Sequence, residues 1–315
     1  MGDVRTTSGG IKAVLIAGPT ASGKSALALA LAQATGGIVI NADSMQVYRD
    51  LRIITARPAC DEEARVPHRL FGHVSGARAY SVAAYIDDCQ AALDEARAAE
   101  VVAIVVGGTG LYFKALLEGL SPVPPIPEAV RKHCRGEADR IGPAELHKAL
   151  AAKDPVMAQR LVPADTQRIT RALEVIIATG KSLSEWQQVP GAPVIEPSQT
   201  ARFVLMPERG MLLNRCDTRF DAMIRDSVLE EIRRLRDLQL DDDLPVMRAL
   251  GVRPLIDHMN GRMPLETAIT LAKAQTRQFA KRQMTWLKRY MISWQRLIAQ
   301  ETPRNIDHII SFIDF

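Results

Sequence analysis

Aromatic residues are scarce in this 315-residue chain. Three Trp, five Tyr and seven Phe make up 5% of it, so Ala and the aliphatic side chains must supply most of the core. Cysteine is rarer still. Cys60, Cys89, Cys134 and Cys216 lie far apart and form no C-x-x-C pair, which argues against a cysteine zinc site and a disulfide framework and for reduced thiols in a cytoplasmic protein. No stretch reaches the ~18 apolar residues of a membrane helix, and Ala13–Ala17 is too short for a signal-peptide core. Internal repeats and low-complexity tracts are also missing. What remains is an ordinary globular composition, 47% hydrophobic and 24% charged, with a formal net charge of +4. That length suits about two domains, and a mean charge this mild names no partner.

Residues 11–121 alternate between short apolar runs and helical patterns. Ala13–Ala17, Ile38–Ala42 and Val101–Val106 read as strands, and Ser25–Thr35 and Val82–Ala99 as helices. That alternation predicts a parallel sheet covered on both faces. Ser121-Pro-Val-Pro-Pro-Ile-Pro127 then places four prolines in seven residues, and Pro190, Pro193 and Pro197 form a second cluster. Both act as stiff boundaries. Between them the pattern is helical throughout: Glu128–Arg140, Pro143–Ala152, Pro155–Leu161, Thr166–Thr179 and a segment around Leu183–Gln188. Ala201–Met206 reads as a strand again, and Pro264 to about Gln300 as a long helix. The expectation is an α/β fold with a P-loop-type parallel sheet core, 11–121 and 198–315, flanked by helices. An all-helical domain, 122–197, is inserted into it, and residues 1–10 form a flexible leader.

Gly18-Pro19-Thr20-Ala21-Ser22-Gly23-Lys24-Ser25 fits G-x-x-x-x-G-K-[ST] between a strand and a helix, the context that this pattern requires. Its glycines let backbone amides converge on phosphate oxygens at a helix N-terminus. Lys24 adds a point charge, and the Ser25 hydroxyl can reach a Mg²⁺ held by the same phosphates. A kinase or ATPase would also carry an acidic residue at a strand end for the metal. Here Val101–Val106 runs instead into Gly107-Gly-Thr-Gly-Leu-Tyr112. Ligands of open α/β sheets sit beyond the carboxyl ends of the strands. Lys24 and Ser25, Asp43 and Ser44, and Thr109 would all lie on that rim. Asp43 and Thr109 could equally serve only as caps, Asp43 for a helix begun by Ser44-Met-Gln-Val-Tyr48.

Taken together, these motifs resemble the bacterial tRNA dimethylallyltransferases. The resemblance runs through the phosphate loop, Asp43-Ser-Met-Gln-Val-Tyr48, Thr55-Ala-Arg-Pro58, Pro67-His-Arg69 and Gly107–Tyr112. It continues through Asp165-Thr-Gln-Arg168, Arg171-Ala-Leu-Glu174, Arg219-Phe220 and Lys281-Arg-Gln-Met-Thr-Trp286. It implies transfer of a dimethylallyl group from its diphosphate to N6 of the adenosine 3′-adjacent to the anticodon. The phosphate loop would then hold the prenyl donor's diphosphate, Asp43 would take the amine's proton, and Thr109, Arg219 and Mg²⁺ at Ser25 would stabilise the leaving diphosphate. His68 becomes a candidate donor-site residue. RNA contacts are implied for Asp43, Ser44, Met45, Gln46, Thr109, Arg131, Gln167, Arg168, Ile169, Thr170, Arg171, Arg248, Gly251, Arg253, Lys281, Arg282, Gln283, Trp286 and Lys288. The partners expected are therefore tRNA, through its anticodon stem-loop, and dimethylallyl diphosphate. No membrane and no obligate protein partner are expected, and the chain is read as a monomer. Two departures stand out: Ile54 replaces a usual glycine, whose conformation a β-branched residue does not readily take, and Val252 replaces a usual tyrosine.

Charge is distributed unevenly. No acidic residue occurs between Glu266 and Glu301, while Lys273, Arg277, Lys281, Arg282, Lys288, Arg289 and Arg296 place +7 there, leaving −3 on the rest. Lys273, Arg277, Lys281 and Lys288 share a helical face, with Phe279, Trp286, Tyr290 and Leu297 expected as the buried stripe. Such a basic stripe suits an RNA backbone, and Arg168 and Arg171 would hold the RNA from the inserted domain, which would act as a clamp. Other readings remain open from sequence: a prenyltransferase of free adenine nucleotides, which would need neither the inserted helices nor the basic helix, a P-loop small-molecule kinase, and a non-catalytic RNA-binding protein.

Overall fold

The computed structural model describes residues 11–299 and 301–313; the expected leader, 1–10, lies outside the described residues. Six strands form one all-parallel sheet: β1 (Ala13–Ala17), β2 (Ile38–Asn41), β3 (His68–Arg69), β4 (Ala103–Gly107), β5 (Thr200–Leu205) and β6 (Gln295–Leu297). Their order is β3-β2-β4-β1-β5-β6. The register sets Ala17 beside Gly107 and Asn41 beside Val106, so β1, β2 and β4 end on one rim.

Four helices belong to the first half of this core: α1 (Lys24–Thr35), α2 (Cys60–Arg65), α3 (Val82–Ala98) and α4 (Gly110–Glu118). The strand period of two sends alternate side chains to opposite faces. Leu15, Ile40 and Val105 pack with Tyr85 and Leu93 of α3 and Phe113 of α4. Val14, Ile16 and Ile104 pack on the other face with Leu27 and Leu31 of α1. Both faces are covered, which is why the strands read as continuous apolar runs.

The segment Glu118–Pro193 forms a compact unit of its own, distinct from the chain on either side. It contains α5 (Glu128–Lys153), α6 (Pro155–Arg160), α7 (Thr166–Thr179) and α8 (Leu183–Trp186), around Cys134, Leu146, Leu150, Ile169 and Leu173. The two helices expected at 128–140 and 143–152 are both present within α5, separated by non-helical backbone at Gly142 (φ 76°, ψ 169°) before Pro143. The unit ends before 197 because the Val194 and Ile195 amides donate to the Leu116 carbonyl of α4, at 2.8 and 3.1 Å.

After β5 come α9 (Arg209–Arg225), α10 (Val228–Asp237), α11 (Val252–Met259), α12 (Leu265–Tyr290) and, beyond β6, α13 (Thr302–Ile310). The long helix thus stops at Tyr290, not near Gln300, because the chain turns to lay β6 beside β5. Its buried stripe also differs from the expected one. Ala268, Ala272, Thr276, Ala280, Gln283 and Leu287 face inward, whereas Leu297 belongs to β6 and Tyr290 is 50% exposed. Alanines at four-residue intervals let α12 approach its neighbours closely. Val252 opens α11 fully buried in a cluster with Phe220 and Leu255, so the position carries packing.

Candidate active site

The phosphate loop runs from the end of β1 into α1. Ala21 (φ 62°) and Gly23 (φ 94°) take left-handed backbone. Such reversals turn successive amides toward one concavity, and the N-terminus of α1 faces the same space. Lys24 folds back so that Nζ donates to the Pro19 carbonyl at 3.2 Å. Ser22 is buried, and Ser25 is exposed in the first turn of α1.

Beyond β2 and Asp43, Ser44, Met45, Gln46 and Val47 form a run of turns, not the helix expected from Ser44 to Tyr48. Buried Asn41 dictates this. Its Oδ1 accepts the Asp43 amide at 2.8 Å, and its Nδ2 donates to the Asp43 and Leu70 carbonyls at 2.9 and 3.0 Å. Asp43 Oδ1 accepts the Met45 amide at 2.9 Å. The carboxylate therefore caps its own turn and also lines the cavity described below. Thr109, beyond β4, ties the two strand ends together. Its Oγ1 accepts the Ser44 amide at 3.0 Å, and its own amide donates to the Ala42 carbonyl at 3.1 Å. Gln46 points its amide elsewhere: Nε2 donates to the Thr55 and Ala56 carbonyls, both at 2.9 Å. That bond set braces the loop 52–56. Buried Glu231 of α10 braces it again, accepting the Arg52, Ile53 and Ile54 amides at 2.7–2.9 Å. Ile54 has no positive φ; the left-handed residue of this loop is Ala56 (φ 52°).

Arg219 of α9 reaches the phosphate loop and donates to Thr20 Oγ1, so it is no solvated surface charge. Burial lowers its pKa. Burial also lowers Lys24 to about 8; Asp43 opposes that shift and Arg219 adds to it. Lys24, Asp43 and Arg219 thus share one electrostatic site. A cavity of about 270 Å³ opens on it. Thr20, Asp43, Ser44, Arg219, Arg248 and Arg282 supply polar groups, while Met45, Ile54, Phe220, Met223 and Phe279 supply an apolar wall. Thr55, Cys216, Ala249, Leu250 and Thr276 complete the lining. An anionic head beside Thr20 and Arg219, with a short apolar chain behind it, matches that division. A second cavity, of about 450 Å³, lies at the opposite, N-terminal ends of β1 and β4, away from the rim where open α/β sheets bind ligands.

The apolar wall escaped the sequence reading. One signal was available: Met223 lies one turn beyond Arg219, on the same face of α9. Gln283, expected to touch RNA, is instead buried. Its Oε1 accepts the Thr20 amide at 2.8 Å and its Nε2 donates to the Gly108 carbonyl at 2.9 Å. Both amide atoms are committed to spacing the phosphate loop from the Thr109 loop. A side chain at Gly108 would displace that amide group, since a Cβ would sit 2.3 Å from Nε2.

The other expected RNA residues divide by exposure. Lys281, Arg282 and Lys288 are exposed on α12 and make no ion pair among the described residues. Lys273 and Arg277 differ from the expected free stripe. Lys273 pairs with Asp221 at 2.6 Å and Arg277 with Asp217 at 2.8 Å, so α9 neutralises the N-terminal half. Arg248 pairs with Asp243 at 3.7 Å and Arg253 with Asp242 at 3.4 Å. Gly251 is buried, its amide 3.4 Å from Gln275 Oε1. On α7, Gln167 and Arg168 are exposed and Arg171 lies 3.2 Å from Glu174. Ile169 is fully buried in the helical unit's core, and Thr170 Oγ1 donates to the Thr166 carbonyl at 2.8 Å; neither side chain is free to meet a ligand. Arg131 is half-buried on α5. His68 lies on β3, its Nδ1 2.9 Å from the Val66 carbonyl, and does not line the cavity.

A family model described as IPP transferase matches residues 46–290, and one described as isopentenyl transferase matches residues 11–72. A tRNA dimethylallyltransferase of Rhodopseudomonas palustris is 52% identical over 298 residues, covering 95% of this chain and 93% of its own. One of Nitrobacter hamburgensis is 51% identical, covering 96% and 95%. Among solved structures, a eukaryotic dimethylallyltransferase acting on tRNA aligns with a TM-score of 0.81 at 28% identity, covering 96% of this chain and 81% of that one. The full-length tRNA isopentenylpyrophosphate transferase of Bacillus halodurans aligns with a TM-score of 0.69 at 30% identity, covering 96% of each chain. With a family model spanning most of its length and relatives at about half identity, the chain belongs to the IPP transferase family.

Proposed function

We propose that this chain transfers a dimethylallyl group from dimethylallyl diphosphate to the exocyclic N6 of the adenosine 3′-adjacent to the anticodon of tRNA, releasing diphosphate. The observation that carries the reading is one cavity that brings a carboxylate, Asp43, together with Thr20, Arg219 and an apolar wall beside the phosphate loop. The reaction forms an N6–C1 bond and breaks the C1–O bond to the diphosphate. The exocyclic amine is a poor nucleophile because its lone pair is delocalised, so it must be held in line and deprotonated as the bond forms. Asp43 takes that proton. Its Oδ1 is steadied by the Met45 amide, which fixes the carboxylate at the cavity wall. Charge grows on the departing diphosphate, and Lys24, Arg219, Thr109 and the amides of the phosphate loop stabilise it more in the transition state than before it.

Magnesium fits this chemistry as a companion of the donor. Among the described residues no group of three or more His, Cys, Asp or Glu is placed to hold a metal. The Ser25 hydroxyl and the donor's own phosphate oxygens would hold Mg²⁺, a hard cation suited to oxygen ligands. The metal would neutralise charge on the leaving group.

RNA approaches along α12, where Lys281, Arg282 and Lys288 meet its phosphates. In the helical unit, Arg168 and Arg171 meet the backbone elsewhere, so that this unit clamps the substrate. Among the described residues no helix is long and apolar enough to cross a membrane, and action in the cytoplasm as a monomer accords with the reading. Asp43→Ala tests it. Prenyl transfer should fall by about 10²–10⁴-fold, the usual contribution of a positioned base, while the anticodon stem-loop still binds. Near-normal turnover would remove Asp43 from its role.

A further inference from the structure

Aromatic side chains are few in this protein, and two of them stand together at the end of α12. Trp286 and Tyr290 stack with ring centroids 4.7 Å apart and planes 28° from parallel. Trp286 is partly buried and lies across Gly110, where a Cβ would come within 2.3 Å of its ring. Gly110 directly follows Thr109, so the stack begins beside the rim of the site. Tyr290 forms its outer layer and is 50% exposed. The surroundings are cationic: the Arg289 guanidinium lies 5.4 Å from the Tyr290 ring centroid and Lys114 Nζ lies 6.0 Å from it. Lys288 and Arg289 are exposed and form no ion pair among the described residues. Neither aromatic lines the cavity that holds Asp43; α12 contributes Thr276, Phe279 and Arg282 to that wall. Tyr290 lies eight residues beyond Arg282, about 12 Å along the helix axis.

A half-exposed tyrosine stacked on Trp286, with Arg289 and Lys114 reaching over its ring, is matched by a flat π-system joined to phosphates, which is an unpaired nucleotide. We propose that Trp286 and Tyr290 form a stacking platform for an unpaired base of the RNA substrate other than the base that accepts the prenyl group. Tyr290, Arg289 and Lys114 thereby join the RNA-binding surface. This rests on the reading of the chain as a tRNA-modifying enzyme. The acceptor adenine enters the cavity beside Asp43 while another base of the anticodon loop lies on Tyr290. The platform holds the loop open and in register, and does so without reading sequence, because every base offers a face to stack on.

The test uses the full chain and a set of anticodon stem-loops, each with one loop nucleotide made abasic. Tyr290→Ala should weaken binding of the intact stem-loop by about tenfold, within the usual contribution of base–aromatic stacking. Tyr290→Phe should bind like the parent. The slope of log affinity against log salt should not change in Tyr290→Ala, because no charge is lost. One abasic position should weaken the parent protein but weaken Tyr290→Ala no further. Equal thermal midpoints would show that folding is intact, as expected for an exposed side chain at a helix end. Unchanged stem-loop affinity in Tyr290→Ala, or additive losses at every abasic position, would overturn the platform. Failure of the parent protein itself to bind or prenylate the stem-loop would instead reject the tRNA reading on which the platform rests.

Discussion

If the phosphate loop holds the proposed diphosphate donor, Lys24 should make its binding sensitive to pH in a range where the donor itself does not titrate. Burial in the phosphate loop lowers its ammonium from 10.5 to about 8 when no anion is bound. Below that value the charge is present and the attraction to diphosphate is complete; above it the site must take up a proton to bind the donor. Terminal phosphates lose their last proton near about 6, so the donor's charge is constant above neutrality. The protonated fraction of such a lysine falls from about three quarters at pH 7.5 to about one tenth at pH 9, and donor affinity should fall about eightfold with it. An ordinary lysine would remain charged throughout and give a flat profile. The assay is calorimetric titration of dimethylallyl diphosphate into the full chain at constant ionic strength across that range. Lys24→Arg, whose guanidinium does not titrate there, should flatten the profile. Linkage gives the same answer from the other side: the folded chain binds fewer protons than the unfolded one, so the ligand-free protein gains stability as pH rises from about 8 toward 10.5. A donor affinity that stays constant to pH 9 in the unmodified protein would refute the reasoning.

Other consequences follow from the pairing and packing of α12. Charge reversal at Lys281 and Arg282 should reduce tRNA affinity and flatten its salt dependence by about 0.7–0.9 for each phosphate that is no longer neutralised, read from binding at several salt concentrations. Arg277→Ala should leave that slope nearly unchanged, because Asp217 already neutralises the guanidinium. Gln283→Met keeps the side chain's bulk but leaves the Thr20 amide and the Gly108 carbonyl without their partner. Steady-state kinetics should then show a raised KM for the donor with the KM for tRNA little changed; the reverse split would restore Gln283 to the RNA surface.

The core of the fold was legible because its signals are local. Val14, Ile16, Ile104 and Val106 are apolar runs of strand length, and G-x-x-x-x-G-K-S sits where a strand meets a helix. The proline clusters lie close to the ends of the compact unit Glu118–Pro193, which begins before the first cluster and stops where Val194 and Ile195 bond to α4. The short edge strands β3 and β6 were not legible, since two or three residues carry no period. What failed on α12 was long-range. Lys273 and Arg277 look free until α9 folds Asp221 and Asp217 against them. Tyr290 looks like core until the helix ends beneath it. Gln283 is implied as an RNA contact by the family motif it shares with Lys281 and Arg282, yet it occupies the buried stripe with Ala280 and Leu287. The sequence leaves Asp43 open between a cap and a base; in the fold one oxygen caps the turn while the residue still lines the cavity.

The central claim is that the phosphate loop holds a prenyl diphosphate for transfer to RNA. Incubating the full chain with Mg²⁺, labelled dimethylallyl diphosphate and total tRNA, then digesting the RNA and locating the label, tests it most directly. The label is predicted on N6 of the adenosine 3′-adjacent to the anticodon, with one diphosphate released for each group transferred. RNA that stays unlabelled while the chain moves a phosphoryl group from ATP to a small molecule would contradict the account.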